Sequence, residues 1–225
     1  MPLRDASGAV VGRIWADQPE DLLLPSAARL EALALFAGQA TMAMISAGQL
    51  EQLTALADQD PLTGLPNRRA FMRELEAEVE RARRYGHPLA LVIGDVDDFK
   101  LINDTHGHPG GDQALCEVAT TLRSGLRTSD SAYRMGGDEF ALLLPEATRE
   151  EAAAVVRRLD VAFRSSASAA FAELTISCGF ATAPQDGADA ESLIKAADAA
   201  LYAVKRARTI GAGGAPLAAP APVGP

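Results

Sequence analysis

An α+β fold built on a mainly antiparallel sheet flanked by helices is what the apolar pattern of this 225-residue chain predicts. Three observations carry that expectation. Between residues 88 and 207 the apolar runs and helical stretches follow one another as β-α-α-β-β-α-β-α. PLALVIGDV (88–96) is an unbroken, partly β-branched apolar run, hence a largely buried strand that ends in acids. YRMGGDEFALLL (133–144) sets Gly136-Gly137 between two apolar runs, which reads as a hairpin with two carboxylates at its tip.

The elements follow in order. AVVGRIWA (9–16) reads as a strand after a turn at Ser7-Gly8, and DQPEDLLLPS then breaks regularity. A long helix is expected from about Ser26 to Ala57. Residues 32–50 within it carry no charge, which meets the length criterion for a membrane span. Its richness in Ala, Gly, Ser and Gln, and the recurrence of Leu30, Leu33, Ala37, Ala40, Met44 and Ala47 at helical spacing, favour a helix–helix seam instead. DQDPLTGLPNRR (58–69) is a Pro- and Gly-dense boundary. Asn67 is placed to cap a helix that Gly86 ends. After the 88–96 strand come a helical segment DFKLINDTHG and a helix GDQALCEVATTLRSGL. The hairpin, a helix over roughly 149–163, a strand ELTISCGFAT (173–182) and the helix ADAESLIKAADAALYAVKRA follow. The Gly/Ala/Pro-rich stretch 209–225 is expected to be disordered.

The net charge of −9 argues against a nucleic-acid-binding surface but leaves a nucleotide substrate open, since metal ions can hold its phosphates. Cys116 and Cys178 fit no metal spacing and read as buried small hydrophobes, consistent with a reducing compartment. No apolar signal-peptide core is present in MPLRDASGAV.

GDVDDFK closes the 88–96 strand with Asp95, Asp97 and Asp98. Asp97 and Asp98 fit caps of the next helix. Asp95, at the strand's end, is costly to bury without a compensating cation or hydrogen bonds. If this strand pairs beside the hairpin, Asp95, Asp138 and Glu139 meet, and oxygen donors without a His or Cys cluster suit Mg²⁺. A solvated turn with incidental acids fits the same residues equally well. His106 and His108 lack further ligands for zinc.

The landmarks DPLTGLPNRR (60–69), DVDDFKLINDTHGHPGGD (95–112), YRMGGDEFALLLP (133–145) and ADAALYAVK (197–205) together resemble the GGDEF family, the diguanylate cyclases, over residues 58 to about 208. The resemblance implies condensation of two GTP into cyclic di-GMP and two pyrophosphates by two facing domains of a homodimer, each holding one GTP and two Mg²⁺ (or Mn²⁺) ions. By position, Asp95, Asp138, Glu139 and the carbonyl of Val96 would bind metal. Asp138 and Glu139 would also act in catalysis, with Lys100 stabilising phosphate charge. Asn103 and Asp112 would read guanine, with His108, Phe99 and Leu115 lining the pocket and Gly136, Gly137 and Lys205 meeting the phosphates. Arg127 and Asp130, an RxxD pair five residues before the signature, with Arg158, resemble the family's product-inhibition site. A second RxxD, Arg157–Asp160, is of the kind that composition alone supplies.

One departure stands at the end of the last helix. The family's K-x-x-G-R-N here reads Lys205-Arg206-Ala207-Arg208-Thr209-Ile210, so Lys205 is kept and the arginine position holds Thr209. Weakened phosphate affinity is the expectation there. Residues 1–25 with the helix 26–57 resemble the last strands and helix of a GAF sensory domain, too short to enclose a ligand; a truncated longer sensor, with the helix as a dimerising connector, is the simplest account. The sequence therefore predicts a cytoplasmic, product-inhibited cyclase, without a membrane span or nucleic-acid partner. The competing reading is an inactive cyclic di-GMP receptor or dimerising module, and a cyclase acting on ATP is disfavoured by Asn103 and Asp112.

Overall fold

The structure, a computed structural model, describes residues 2–4, 7–14, 26–166 and 174–210, and for residues 4, 48–56, 166, 209 and 210 the backbone only. Residues 15–25, the side chain of Thr209 and positions 211–225 of the stretch expected to be disordered lie outside the described residues, whereas Thr209 and Ile210, also counted in that stretch, are helical. The chain divides into two compact units, 1–57 and 58–225.

In the first unit, β1 (Pro2–Arg4) pairs antiparallel with β2 (Val10–Arg13), Leu3 opposite Gly12. The described part of the strand expected over 9–16 thus ends at Arg13, and three-residue β1 is too short to show a period. Helix α1 (Ala27–Ala57) packs its Met44 side chain over Gly12, where a Cβ would come within 3.2 Å of the methionine methyl. Ala37 and Thr41 are buried, and the Thr41 hydroxyl donates to the Ala37 carbonyl at 2.8 Å, which satisfies it on an apolar face. The expected seam is only partly covered: Leu33 and Ala40 are half-buried, whereas Leu30, Met44 and Ala47 are exposed. Leu35, Phe36 and Met42 face solvent too. Among the described residues, 27–47 is the stretch long and apolar enough to cross a membrane by length and composition.

The second unit is three-layered. Its sheet runs β4-β5-β3-β6 from β3 (Leu89–Val96), β4 (Ser131–Gly136), β5 (Glu139–Pro145) and β6 (Ile176–Ala183), every pair antiparallel. Strand β3 is central and apolar on both faces because both are covered. Ala90, Val92 and Val96 face Leu115, Val118 and Leu122 of α3 (Phe99–Ser124) and Val155 and Leu159 of α4 (Arg149–Ser166). Leu89, Leu91 and Ile93 face Phe71 and Leu75 of α2 (Arg68–Tyr85) and Leu193, Ala197 and Leu201 of α5 (Ala190–Ile210). Phe71 meets Tyr133 edge-on at 5.4 Å between ring centroids.

Local signals explain the element ends. Asn67 caps α2, its side chain accepting from the N–H groups of Arg69 and Ala70, and Gly86 ends the helix at φ 69. Thr148 and Glu151 form a capping box for α4: Glu151 N–H donates to the threonine hydroxyl, and Thr148 N–H to the glutamate carboxylate. The two helical segments expected after β3 are both present within α3, separated by a non-helical break at Gly107 (φ 71, ψ 171), after which Pro109 fits the first turn of the second segment. The capping role expected of Asp97 and Asp98 is corrected. Asp98 holds the cap position at φ 52 but makes no side-chain cap bond, and Asp97 turns toward β6. Cys178 is buried, its thiol pushed up to about 12 by desolvation, whereas Cys116, expected to be buried, is only half-buried, with its thiol on the Leu62 carbonyl.

Candidate functional site

The C-terminal end of β3 and the β4–β5 turn form one acidic edge. In the antiparallel register Asp95 stands directly opposite Glu139, and residues paired in this way share a face of the sheet. The next β3 residue, Val96, donates its N–H to the carbonyl of Asp138 at 3.1 Å, which pins the turn to the strand end. Gly136 (φ 136) and Gly137 (φ 55) occupy backbone conformations that favour glycine, and a Cβ on either would meet nothing within 4 Å. The space above the turn is open.

Asp95 is half-buried, and its pKa is raised, first by desolvation and further by the neighbouring Asp138 and Asp97; the ammonium of Lys205, 2.6 Å from its carboxylate, opposes this. A carboxylate in that setting binds a cation favourably. Asp97 is otherwise engaged: it accepts from Thr175 Oγ1 (2.7 Å) and Ser177 Oγ (2.5 Å) and pairs with Arg208, which also donates to Ser177 Oγ. Arg208 therefore faces β6 and not the open turn. No group of three or more Asp, Glu, His or Cys side chains among the described residues is already drawn together as a metal cage. The donor set at this edge, three carboxylates and the Val96 carbonyl, is all oxygen and fits a hard divalent cation.

The other sequence-predicted residues lie on neighbouring elements. Phe99, half-buried against the core, and exposed Lys100 open α3. Half-buried Asn103 is on its first segment, while exposed Asp112 and buried Leu115 follow the Gly107 kink and exposed His108. Elsewhere, Arg127 and Asp130 close their own turn: Arg127 N–H donates to the Asp130 carboxylate at 3.0 Å and Asp130 N–H to the Arg127 carbonyl at 3.1 Å. The exposed guanidinium of Arg127 extends toward Glu151, and Arg158 of α4 donates to the Gly125 carbonyl of the same loop. In the second RxxD pair, Asp160 instead binds Arg164 within α4.

Sequence reasoning missed Arg134. Its guanidinium, with the side chain 12% exposed, binds both oxygens of Asp60 (3.0 and 3.1 Å) and also donates to the Gly137 carbonyl at 2.7 and 3.1 Å. Burial raises the Asp60 pKa, but the Thr63 hydroxyl and N–H and the Arg134 guanidinium outweigh it, and the carboxyl titrates below its ordinary value. One arginine thus ties the 58–67 loop to the glycine turn. Both residues stood in quoted landmarks, DPLTG and YRMGG, but their 74-residue separation hides the pairing. Arg134→Ala should destabilise the unit by about 2–3 kcal/mol, since it strands a half-buried carboxylate and a turn carbonyl. Urea unfolding checks this; a change below about 0.5 kcal/mol, the level of an ordinary surface substitution, would contradict it.

Comparison with known proteins matches this arrangement to a family. The family described as "Diguanylate cyclase, GGDEF domain" matches residues 57–209 and leaves the proposed GAF fragment outside. The chain is 42% identical over 160 residues to diguanylate cyclase DgcP of Pseudomonas aeruginosa, covering 70% of this chain and 24% of that protein. It is 35% identical over 161 residues to the response regulator PleD of Caulobacter vibrioides, covering 69% and 36%. It thus spans about a quarter to a third of the length of these relatives. The crystal structure of the coiled coil and GGDEF domain of DgcB from Caulobacter crescentus, in complex with c-di-GMP, superposes with a TM-score of 0.68 at 33% identity, covering 78% of this chain and 95% of that one. Diguanylate cyclase SiaD of Pseudomonas aeruginosa, crystallised with its activator SiaC, gives 0.64 at 37% identity, covering 80% and 69%. With the α+β fold, the acidic edge and the glycine turn described above, these matches establish that the chain belongs to the GGDEF diguanylate cyclase family.

Proposed function

We propose that the protein condenses two GTP into cyclic di-GMP with release of two pyrophosphates. The observation that carries the reading is the direct cross-strand pairing of Asp95 with Glu139 at a glycine turn with open space above it. Asp95, Asp138, Glu139 and the Val96 carbonyl would hold two Mg²⁺ (or Mn²⁺) ions. When bound, the ions would lower the pKa of the attacking 3′-hydroxyl and neutralise the leaving pyrophosphate.

The chain's own groups do the rest. Asp138, whose charge acts on Asp95, would take the hydroxyl proton. Lys100 and Lys205 bring positive charge to the phosphates, and Lys205 already lies against Asp95. Asn103 and Asp112 offer an amide and a carboxylate to the edge of guanine, with His108 alongside and Phe99 and Leu115 as the apolar floor. One chain presents one such edge, so two attacks on two α-phosphates call for a second copy facing the first. The exposed apolar residues of α1 support a helical connector that brings copies together. A cytoplasmic location follows from the need for GTP.

Arg127, Asp130 and Arg158 form the proposed inhibitory product site, where an extended guanidinium can grip the O6/N7 edge of guanine. A second reading, a receptor that binds cyclic di-GMP without making it, is favoured by the engagement of Arg208 with Asp97 together with threonine at 209. Incubation of the purified chain with GTP and Mg²⁺ separates the two. Cyclic di-GMP formation supports the enzyme; no turnover, with product binding abolished by Arg127→Ala, supports the receptor.

A further inference from the structure

Gly110 and Gly111 stand together in the first turn of the α3 segment that restarts after the Gly107 break. Their surroundings differ in a way that separates their roles. A Cβ on Gly110 would lie 2.4 Å from the Cβ of His106, an atom fixed to the backbone of the preceding segment. A Cβ on buried Gly111 would lie 2.0 Å from Asn103 Oδ1, 2.9 Å from its Cγ and 3.3 Å from Phe99 Cζ. The Asn103 amide is the end of a rotatable side chain. A methyl at 111 therefore leaves the backbone where it is and drives the amide aside by more than about 1 Å to reach ordinary contact distance.

We propose that Gly111 is the specificity-positioning residue of the guanine pocket: the missing side chain is the seat into which the Asn103 amide fits. The proposal rests on the reading of Asn103 as a guanine-recognising residue. Gly110, by contrast, allows the two segments of the kinked helix to lie close. A bidentate polar contact tolerates displacements of only about 0.5 Å. A displaced amide therefore costs base recognition while the fold stands.

The experiment uses the whole chain and measures binding of α,β-methylene GTP and α,β-methylene ATP by calorimetric titration with Mg²⁺, alongside thermal unfolding. Gly111→Ala is expected to weaken the guanine nucleotide about tenfold or more, to leave the adenine nucleotide unchanged, and to unfold no earlier than the unmodified protein. In an Asn103→Ala background, Gly111→Ala is expected to have no further effect on either nucleotide. Unaltered guanine binding in Gly111→Ala overturns the proposal, as does an equal loss for both nucleotides or a lowered unfolding midpoint in both backgrounds. If Asn103→Ala itself binds guanine normally, the reading of Asn103 fails and takes the proposal with it. The readout is binding, so absence of turnover, which would sink the cyclase reading, leaves this result independent.

Discussion

Replacing Glu139 by glutamine is expected to lower cyclic di-GMP formation by about 10³-fold or more while leaving the unfolding midpoint within a degree or two. The size follows from position. Glu139 is exposed, opens β5, and stands directly across from Asp95, so the amide keeps the side chain's shape and the strand's register. What it loses is the negative charge of one of the three carboxylates proposed to hold metal at this edge. Divalent ions held by carboxylates bind far more weakly when one becomes neutral, because a hard cation gains most from charged oxygen donors. The checks are a chromatographic product assay with saturating GTP and a Mn²⁺ titration followed by electron paramagnetic resonance. Activity within tenfold of the unmodified protein, with Mn²⁺ affinity retained, would remove Glu139 from the proposed metal site.

The largest stability effect is expected at Gly179, on β6. A Cβ there would lie 2.0 Å from the backbone nitrogen of Leu201, 2.5 Å from the Ala197 carbonyl oxygen and 2.6 Å from the Leu201 Cα. None of these atoms can swing aside, because all belong to the main chain of α5. Gly179→Ala must push the helix off the sheet, and α5 carries Leu193, Ala197 and Leu201 into the core beside β3. A cost of about 4 kcal/mol or more is expected, at the upper end of single substitutions. The unfolding midpoint should fall by roughly 10 °C. A midpoint within about 3 °C of the original would show that the close approach of helix and strand is relaxed in solution. The same helix holds Lys205 against Asp95, so GTP turnover should fall together with stability. The contrast with Gly136 is instructive. There a methyl would meet nothing, and only the backbone angle resists it.

Most of this fold could be read from residues because the apolar runs and their punctuation agreed. Asn67 and Gly86 bracket α2, and PLALVIGDV is apolar on both faces because helices cover both. What could not be read depended on groups distant in sequence. The Arg134–Asp60 tie crosses 74 positions. Asp97 looked like a helix cap by proximity, yet Thr175 and Ser177, which compete for it, lie about 80 residues on and become neighbours only through the β3–β6 pairing. Arg208, one position before the family's arginine, has its own partner in that carboxylate. In α1, periodicity identified the helix, while what covers the exposed part of its seam is not encoded in the order of its own residues.

The central place of β3 has a mechanical consequence. A strand hydrogen-bonded on both sides and covered on both faces opens only when the whole unit opens, so the amides in the middle of β3, Val92 and Ile93 among them, are expected to exchange slowest. The turn beside the strand's end has no such backing. Gly137 and Asp138 project from a hairpin whose restraints are the Val96 bond and the Arg134 guanidinium. The acidic edge thus joins a strand locked inside the sheet to a turn held from outside it by Arg134.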